Sequence, residues 1–346
     1  MAILVVLSLL KRNSIMKKIH IINQNIDNRY IDLFGFLYKE EKNIDYYISD
    51  INMSVNYSIS EKDISTVVLS YGDVLSGHCS IIKSKGDDSG IAYFGFFESP
   101  ENKNDFKFFW ENILLEAKKK NIKKLIGPVN GSIWFPYRFI NNLNVIPLFK
   151  GELPTKFLYH NFFSNLKNSK TTTYSSGSRK DFNLIIEATK KSYESLKKSG
   201  LKIEALFEVS KEILIEIHAL AEEIFSNQSV AYESFPVDYF LKLYNDNRMK
   251  GLFRTYTVRD NNKLIGFCNV FYENKKVIIL KTLAIHPLFQ KHGIGRAIVY
   301  LIHRDAKEKK IEQIIYALVR DDNNIKFFPR DGVSEVRTYS LFEFKI

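Results

Sequence analysis

The stretch Phe289-Gln290-Lys291-His292-Gly293-Ile294-Gly295-Arg296-Ala297-Ile298 (FQKHGIGRAI, residues 289–298) decides how this chain is read. Two glycines, one residue apart, separate an apolar run (Val277 to Ile285) from a run that opens at Arg296. That second run places Ala297, Ile298, Leu301, Ile302 and Ala306 on one helical face. The pattern predicts a strand, a small-residue loop and a helix starting at Arg296. Residues without side chains let backbone approach a ligand. At a helix N-terminus the amides and the helix dipole favour an anion. Lys291, His292 and Arg296 would add positive charge. Two familiar phosphate loops do not fit. A nucleotide P-loop requires Gly-Lys-Ser/Thr, but Arg296 and Ala297 follow Gly295. A dinucleotide fingerprint requires a third small residue and a long parallel sheet, but Ile298 stands there and the chain ends soon afterwards.

Working outward, the sequence repeats itself. Gly77-His78-Cys79-Ser80-Ile81-Ile82 resembles Gly266-Phe267-Cys268-Asn269-Val270-Phe271, each after a polar turn and before a second strand-like run (Ile91 to Phe97; Val277 to Ile285). Such runs read as hairpins. A helix pattern follows each, from Asp105 to Lys120 and from Arg296 to Lys310, and then another strand, Lys124 to Val129 and Gln313 to Val319. An offset of about 190 residues fits two copies of one domain rather than a solenoid. Between the copies, Tyr174 to Lys180 has loop composition, with Asp181 placed to cap a connecting helix. The strand Leu201 to Phe207 and a helix capped by Ser210 then open the second copy. The first copy lacks the glycine loop: Glu98 to Asn104 holds two acids and no glycine, which would repel an anion.

Composition bounds the rest. The 346-residue chain has a formal charge of +11, which favours anionic partners without choosing among them. Two cysteines, Cys79 and Cys268, make no disulfide framework and point to a reducing, cytoplasmic setting. The seven histidines are scattered without zinc spacing, so no metal is expected. The lysine run Lys118 to Lys124 reads as a solvated helix end rather than a nucleic-acid patch. Ala2 to Leu10 is too short to span a bilayer, which takes about 20 residues. With Met16-Lys17-Lys18 following, residues 1–16 are expected to be a disordered or non-native tail, the alternative being a short membrane-touching segment.

Gln290-Lys291-His292-Gly293-Ile294-Gly295 has the form Q/R-x-x-G-x-G/A. With Leu283-Ala284-Ile285-His286-Pro287 before it, this resembles the pyrophosphate loop and central strand of the GNAT superfamily of acyl-CoA-dependent N-acyltransferases. The likeness is strongest over roughly residues 250–320. It implies an α+β fold of two tandem GNAT-like domains, each a mixed, mostly antiparallel sheet flanked by helices. The expected division is a degenerate domain at 17–176, a connecting helix at 177–199 and an acyl-CoA-binding domain at 200–346. Gly127 to Trp134 resembles a stretch of tandem GNAT proteins whose first domain has lost its cofactor site.

The resemblance implies acetyl-CoA or another acyl-CoA as co-substrate. Leu283, Ala284 and Ile285 would offer strand groups to the pantetheine arm. Gln290, Lys291, His292, Gly293, Ile294, Gly295, Arg296 and Ala297 would form the loop, and Asn324 would touch the cofactor. The family's general-acid tyrosine has no match, since Phe328 stands in its place; Tyr339 is a candidate substitute. An amine nucleophile needs a proton acceptor. Val277 to Ile285 holds no acid, so Glu233 and Glu273, with Asp238, are the candidates. The expected reaction is direct attack of a primary amine, on a small molecule or a peptide, in a ternary complex. Neither specific nucleic acid nor stable membrane insertion is expected, and the oligomeric state is not read. Two alternatives stand beside it: an aminoacyl-tRNA-dependent transferase of the peptidoglycan-bridge type, and a non-catalytic acyl-CoA sensor.

Overall fold

The computed structural model describes residues 16–142, 147–226, 230–245, 253–323 and 329–346. Asn324, Phe328 and residues 1–15 lie outside the described residues. The chain divides into two units, 1–172 with 339–346, and 173–338. The expected two-domain duplication is what the structure shows, element for element.

In the first unit β1 (Lys17–Asn23), α1 (Arg29–Leu37), α2 (Ile44–Glu61), β2 (Lys62–Tyr71), β3 (Val74–Ser84), β4 (Ile91–Glu98), α3 (Lys103–Lys119) and β5 (Lys124–Gly127) follow in order. Then come β6 (Phe139–Ile140), α4 (Phe157–Ser164) and β7 (Ser169–Arg179). Strands β1 to β4 are antiparallel neighbours in sequence order, and β5 runs parallel to β4. The core lies under α3 and is built of aromatics, among them Phe94, Phe97, Phe109, Trp110, Phe139 and Phe163.

The second unit repeats the order after α5 (Asn183–Lys198): β8 (Lys202–Leu206), α6 (Lys211–Phe225), α7 (Val237–Asn245), β9 (Phe253–Asp260), β10 (Lys263–Tyr272), β11 (Val277–Ile285), α8 (Ile294–Glu308) and β12 (Gln313–Arg320). Again three antiparallel steps, β8 to β11, precede one parallel pair, β11 with β12. Here the core is aliphatic: Ile278, Leu280, Ile298, Leu301, Ile302 and Ile314 join α8 to the sheet. Each such side chain taken from water contributes about 1.5–3 kcal/mol. Ser210 caps α6 as expected, its hydroxyl accepting from the Ile213 amide.

The edge strand beyond the parallel pair shows where the sequence reading departs from the structure. Tyr174 to Lys180 is not a loop. Through Arg179 it is strand β7, antiparallel to β12 with Gly177 opposite Tyr316. Its serines and glycine read as turn formers locally, and the ladder to β12 overrides that preference. Residues 177–199, expected as a connector, hold the end of this strand and α5. The last strand, β13 (Val333–Lys345), begins in the second unit and ends in the first, where Phe342↔Gly127 and Lys345↔Lys124 pair it antiparallel to β5. The division therefore falls between Thr172 and Thr173 rather than at 176/177, and Tyr339–Ile346 goes with the first unit.

Candidate functional site

β11 is the strand on which the candidate site is built. β10 accompanies it along its whole length, from Tyr272↔Ile278 to Gly266↔Ile285, with a register shift at Asn269/Val270. β12 accompanies it only from Val277↔Gln313 to Leu280↔Tyr316. Beyond Tyr316, β12 bends toward β7: its register to β7 shifts between Tyr316 and Val319, Leu318 takes φ +56°, and the Leu318 amide donates to Ser176 Oγ at 2.9 Å. Lys281 to Ile285 thus leave a strand edge of roughly 16 Å that β12 does not pair.

This edge runs into the glycine loop. His286 to Phe289 make one tight turn, in which His286 Nδ1 accepts from the Leu288 amide. That fixes the His286 proton on Nε2, which faces the Glu223 carboxylate of α6 at 2.9 Å. Glu223 is a contact that helix periodicity alone could not reveal. The Gln290 side-chain amide donates to the Ile285 carbonyl at 3.0 Å, tying the loop back to the strand end. Lys291 and Gly293 both take left-handed φ, +68° and +79°. Gly293 is the N-cap of α8, which begins at Ile294, two residues before the position expected from the sequence. The reason is burial: Ile294 packs into the core with Ala297 and Ile298, so the apolar stripe starts one turn earlier.

The first helical bond is Ala297 N–H to Gly293 C=O, at 3.0 Å. No side chain caps the helix, and no acid stands in its first turn. Gly295 sits within that turn, where an added Cβ would lie 3.8 Å from Leu283. Lys291, His292 and Arg296 are exposed around it. Leu283, Ala284, Ile285 and the residues from Gln290 to Ala297 thus follow one another along a strand end, a turn and a helix start, with the side chains of Ala284, Ile294 and Ala297 buried. An N-terminus without a side-chain cap, flanked by Lys291 and Arg296, suits an anionic group.

The expected acid–base residues are not brought together. Glu273 stands in the hairpin turn before β11, at the end opposite the loop, with its amide bonded to Val277 O. Glu233 is half-buried between α6 and α7. Its neighbours Tyr232, Ser234 and the Phe235 amide all donate to Glu222, which pins the segment. Tyr339 belongs to the first unit, where it is buried and its hydroxyl donates to Glu152. Cys268 is fully buried and its thiol is pushed upward by burial, as befits an apolar core residue. Among the described residues no group of three His, Cys, Asp or Glu could hold a metal, and no helix is long and apolar enough to cross a membrane.

The first unit places its own chain at the matching position. β5 accompanies β4 only from Ile91↔Lys124 to Tyr93↔Ile126. After Gly127 the chain crosses the β4 edge: Val129 N–H donates to Phe94 O at 2.7 Å, and Asn130 Oδ1 accepts from Phe96 N–H at 2.7 Å. A Cβ on Gly95 would stand 2.1 Å from Val129 O, so glycine is required there. The helix that follows, α3, is capped by the Asn102 side chain, which accepts from the Asn104 and Asp105 amides.

Residues 215–332 match the family model described as Acetyltransferase (GNAT) family. No curated protein matches the chain in sequence. Among solved structures, the chain is similar to a tandem GNAT protein from the clavulanic acid biosynthesis pathway, at 10% identity and a TM-score of 0.55 over 95% of this chain and 98% of that one. It is similar to a probable N-acyltransferase from Enterococcus faecalis at 8% identity and TM-score 0.56, over 95% of this chain and 72% of that one. A third, a glucosamine N-acetyltransferase region of a fungal multi-domain β-N-acetylglucosaminidase, shows 12% identity and TM-score 0.56. There the match covers 95% of this chain and 38% of that one. The β11 edge that β12 leaves and the glycine loop both lie within residues 215–332, which match the GNAT acetyltransferase family model, and the chain as a whole has a fold similar to that of a tandem GNAT protein.

Proposed function

We propose that the chain transfers an acyl group, an acetyl group in the first instance, from acyl-CoA to a primary amine by direct attack in a ternary complex. The observation that carries the reading is the β11 edge at Lys281 to Ile285, unpaired by β12 and leading into an uncapped, acid-free helix N-terminus. A pantetheine arm carries amide groups that can pair with a strand edge, and a pyrophosphate can accept from helix-terminal amides. Leu283 to Ile285 would hold the first, and Gly293 to Ala297 with Lys291 and Arg296 the second. Asn324, outside the described residues, stays a proposed cofactor contact.

For the amine's proton we favour Glu233, on a segment held in place through Glu222 and on the same unit as the loop. Glu273 is at the far end of β11 and is not proposed for that step; Tyr339, expected as a substitute general acid, is buried with its hydroxyl donated to Glu152 and is not proposed for that role. One CoA is expected per chain, because Val129 and Asn130 take the corresponding groups in the first unit. The setting proposed is the cytoplasm, where free Cys79 and Cys268 stay reduced.

The decisive experiment measures CoA release from acetyl-CoA across a panel of small amines, aminoglycosides and peptides. Acceptor-dependent release supports the reading. CoA binding without release for any acceptor would favour an acyl-CoA sensor, and transfer that requires aminoacyl-tRNA would favour the bridge-forming class.

A further inference from the structure

Acids at the C-terminal end of a helix run against the helix dipole, which favours cations there. α6 nevertheless closes on Glu222 and Glu223, with no basic residue in its last turn. Side chains that break a local preference are expected where they serve a site. Neighbouring residues on a helix point about 100° apart. The two carboxylates therefore reach different parts of the second unit.

Glu222 gathers the segment that follows the helix. It accepts from the Tyr232 hydroxyl, from Ser234 Oγ at 2.7 Å and from the Phe235 amide at 3.2 Å. One turn earlier, His218 Nε2 lies 2.6 Å from the Phe235 carbonyl, which only accepts, so Nε2 carries the proton. Both backbone groups of the buried Phe235 are thus held by α6, and Glu233 lies within the segment so held. Glu223 serves the other side. It accepts from His286 Nε2–H at 2.9 Å. His286 is itself buried, with Nδ1 accepting from the Leu288 amide at 3.3 Å and its own amide donating to the Ile265 carbonyl at 2.8 Å. Three bonds on one residue fix the turn from which the chain enters Gln290 and Gly293.

We infer that the last turn of α6 positions both halves of the site: Glu223, through His286, sets the glycine loop, and Glu222, with His218, sets the segment that carries Glu233. All four are positioning residues, acting through the groups they hold. This rests on the acyl-transfer reading above and on Glu233 as the acceptor of the amine's proton. Because both carboxylates ride on one helical turn, a ligand that stills the loop also stills the Glu233 segment. Binding of acyl-CoA therefore prepares the acceptor side.

The first measurement uses CoA and the unmodified full chain. Saturating CoA should slow amide hydrogen exchange over residues 286–298 and, through α6, over residues 232–236. Slowing confined to 286–298 overturns the coupling, whatever the variants do. By calorimetry, Glu223→Ala should weaken CoA binding about 10-fold, and Glu223→Gln, whose side-chain oxygen still accepts from His286, should keep most of the affinity. Unchanged affinity in Glu223→Ala, or equal losses in the two variants, overturns the role given to Glu223. With an acceptor that supports turnover, Glu222→Ala should lower kcat about 10²-fold with little change in the KM for acyl-CoA. An unchanged kcat overturns the role given to Glu222. Absence of CoA binding by the unmodified protein overturns the acyl-transfer reading itself, and this inference with it.

Discussion

The two units share an order of elements and a parting of two parallel strands, yet treat that parting in opposite ways. In the first, β4 leaves β5 after Tyr93, and Val129 and Asn130 bond to Phe94 and Phe96 across the exposed edge. In the second, β11 leaves β12 after Leu280, and β12 bends away to β7 instead. The helix that follows tells the same story. Asn102 caps α3 with its own side chain and Asp105 stands in its first turn, whereas Gly293 gives α8 no side-chain cap and no acid follows. Satisfying a strand edge and a helix end from within stabilises a fold and closes it to ligands; an edge that its parallel neighbour leaves and a helix end without a side-chain cap suit a site. One topology thus carries two treatments of the same parting, decided by a few residues.

The largest expected effect comes from breaking the second unit's side of the comparison. Gly293→Asp puts a carboxylate at the N-cap of α8, where a pyrophosphate would sit. Calorimetry should find one CoA per chain in the unmodified protein and at least about 100-fold weaker binding in the variant, whose thermal transition should stay cooperative but fall somewhat, because Asp is strained at φ +79°. Unchanged affinity, or two CoA per chain, would remove the contrast drawn here.

The next effect lies in the first unit, at the end of β4. Glu98 is buried, and burial raises its carboxyl to about 7 although Tyr159 and Tyr38 donate to it. Its folded pKa is above the ordinary 4.5, so folding disfavours the charged form. The protonated acid costs nothing below about pH 4.5, and the penalty grows as pH rises through 7. Near pH 8 it should reach about 3 kcal/mol. Glu98→Gln should therefore be more stable than the parent at pH 8, with the advantage gone by pH 4.5. Comparing the two proteins matters, because His78, held down to about 4 by burial, loses stability in the opposite direction, as pH falls from 6.5. Equal stability differences at pH 4.5 and pH 8 would contradict the burial argument.

A smaller effect sharpens the comparison. Asn130→Ala leaves the buried Phe96 amide without its acceptor and should destabilise the first unit by about 1–3 kcal/mol in denaturant melts. CoA affinity of the second unit should not change. A variant of full stability would mean that the crossing segment is not held by this bond.

Much of this was legible in the residues. The paired Gly-x-Cys segments and the spacing of apolar runs carried the duplication, because strand and helix periodicity is written locally. The glycine loop was equally legible, since left-handed φ at Gly293 and missing side chains are properties of the residue type. Local patterns could not reach further. Arg179 stood in a serine-rich stretch that reads as a loop, and only the ladder to β12 makes it a buried strand residue. Glu223 is one of several acids on α6, and only packing brings it to His286. Tyr339 follows the second copy in sequence, yet its pairing with Ile140 puts it in the first unit.

The sequence by itself thus determined the fold class, the doubling of the domain and the position of the glycine turn proposed to receive an anion, all of which follow from residue type and short spacing. The tertiary structure alone decided which strand edge β12 leaves, that Arg179 is buried with no acid among its described partners, and which unit receives the end of the last strand. Those depend on pairings between residues that are not neighbours in the chain: Val129 with Phe94, and over longer spans Arg179 with Tyr316 and Tyr339 with Ile140. No local pattern encodes such pairings, because their free energy appears only once both partners have been brought together and the loop entropy between them has been lost.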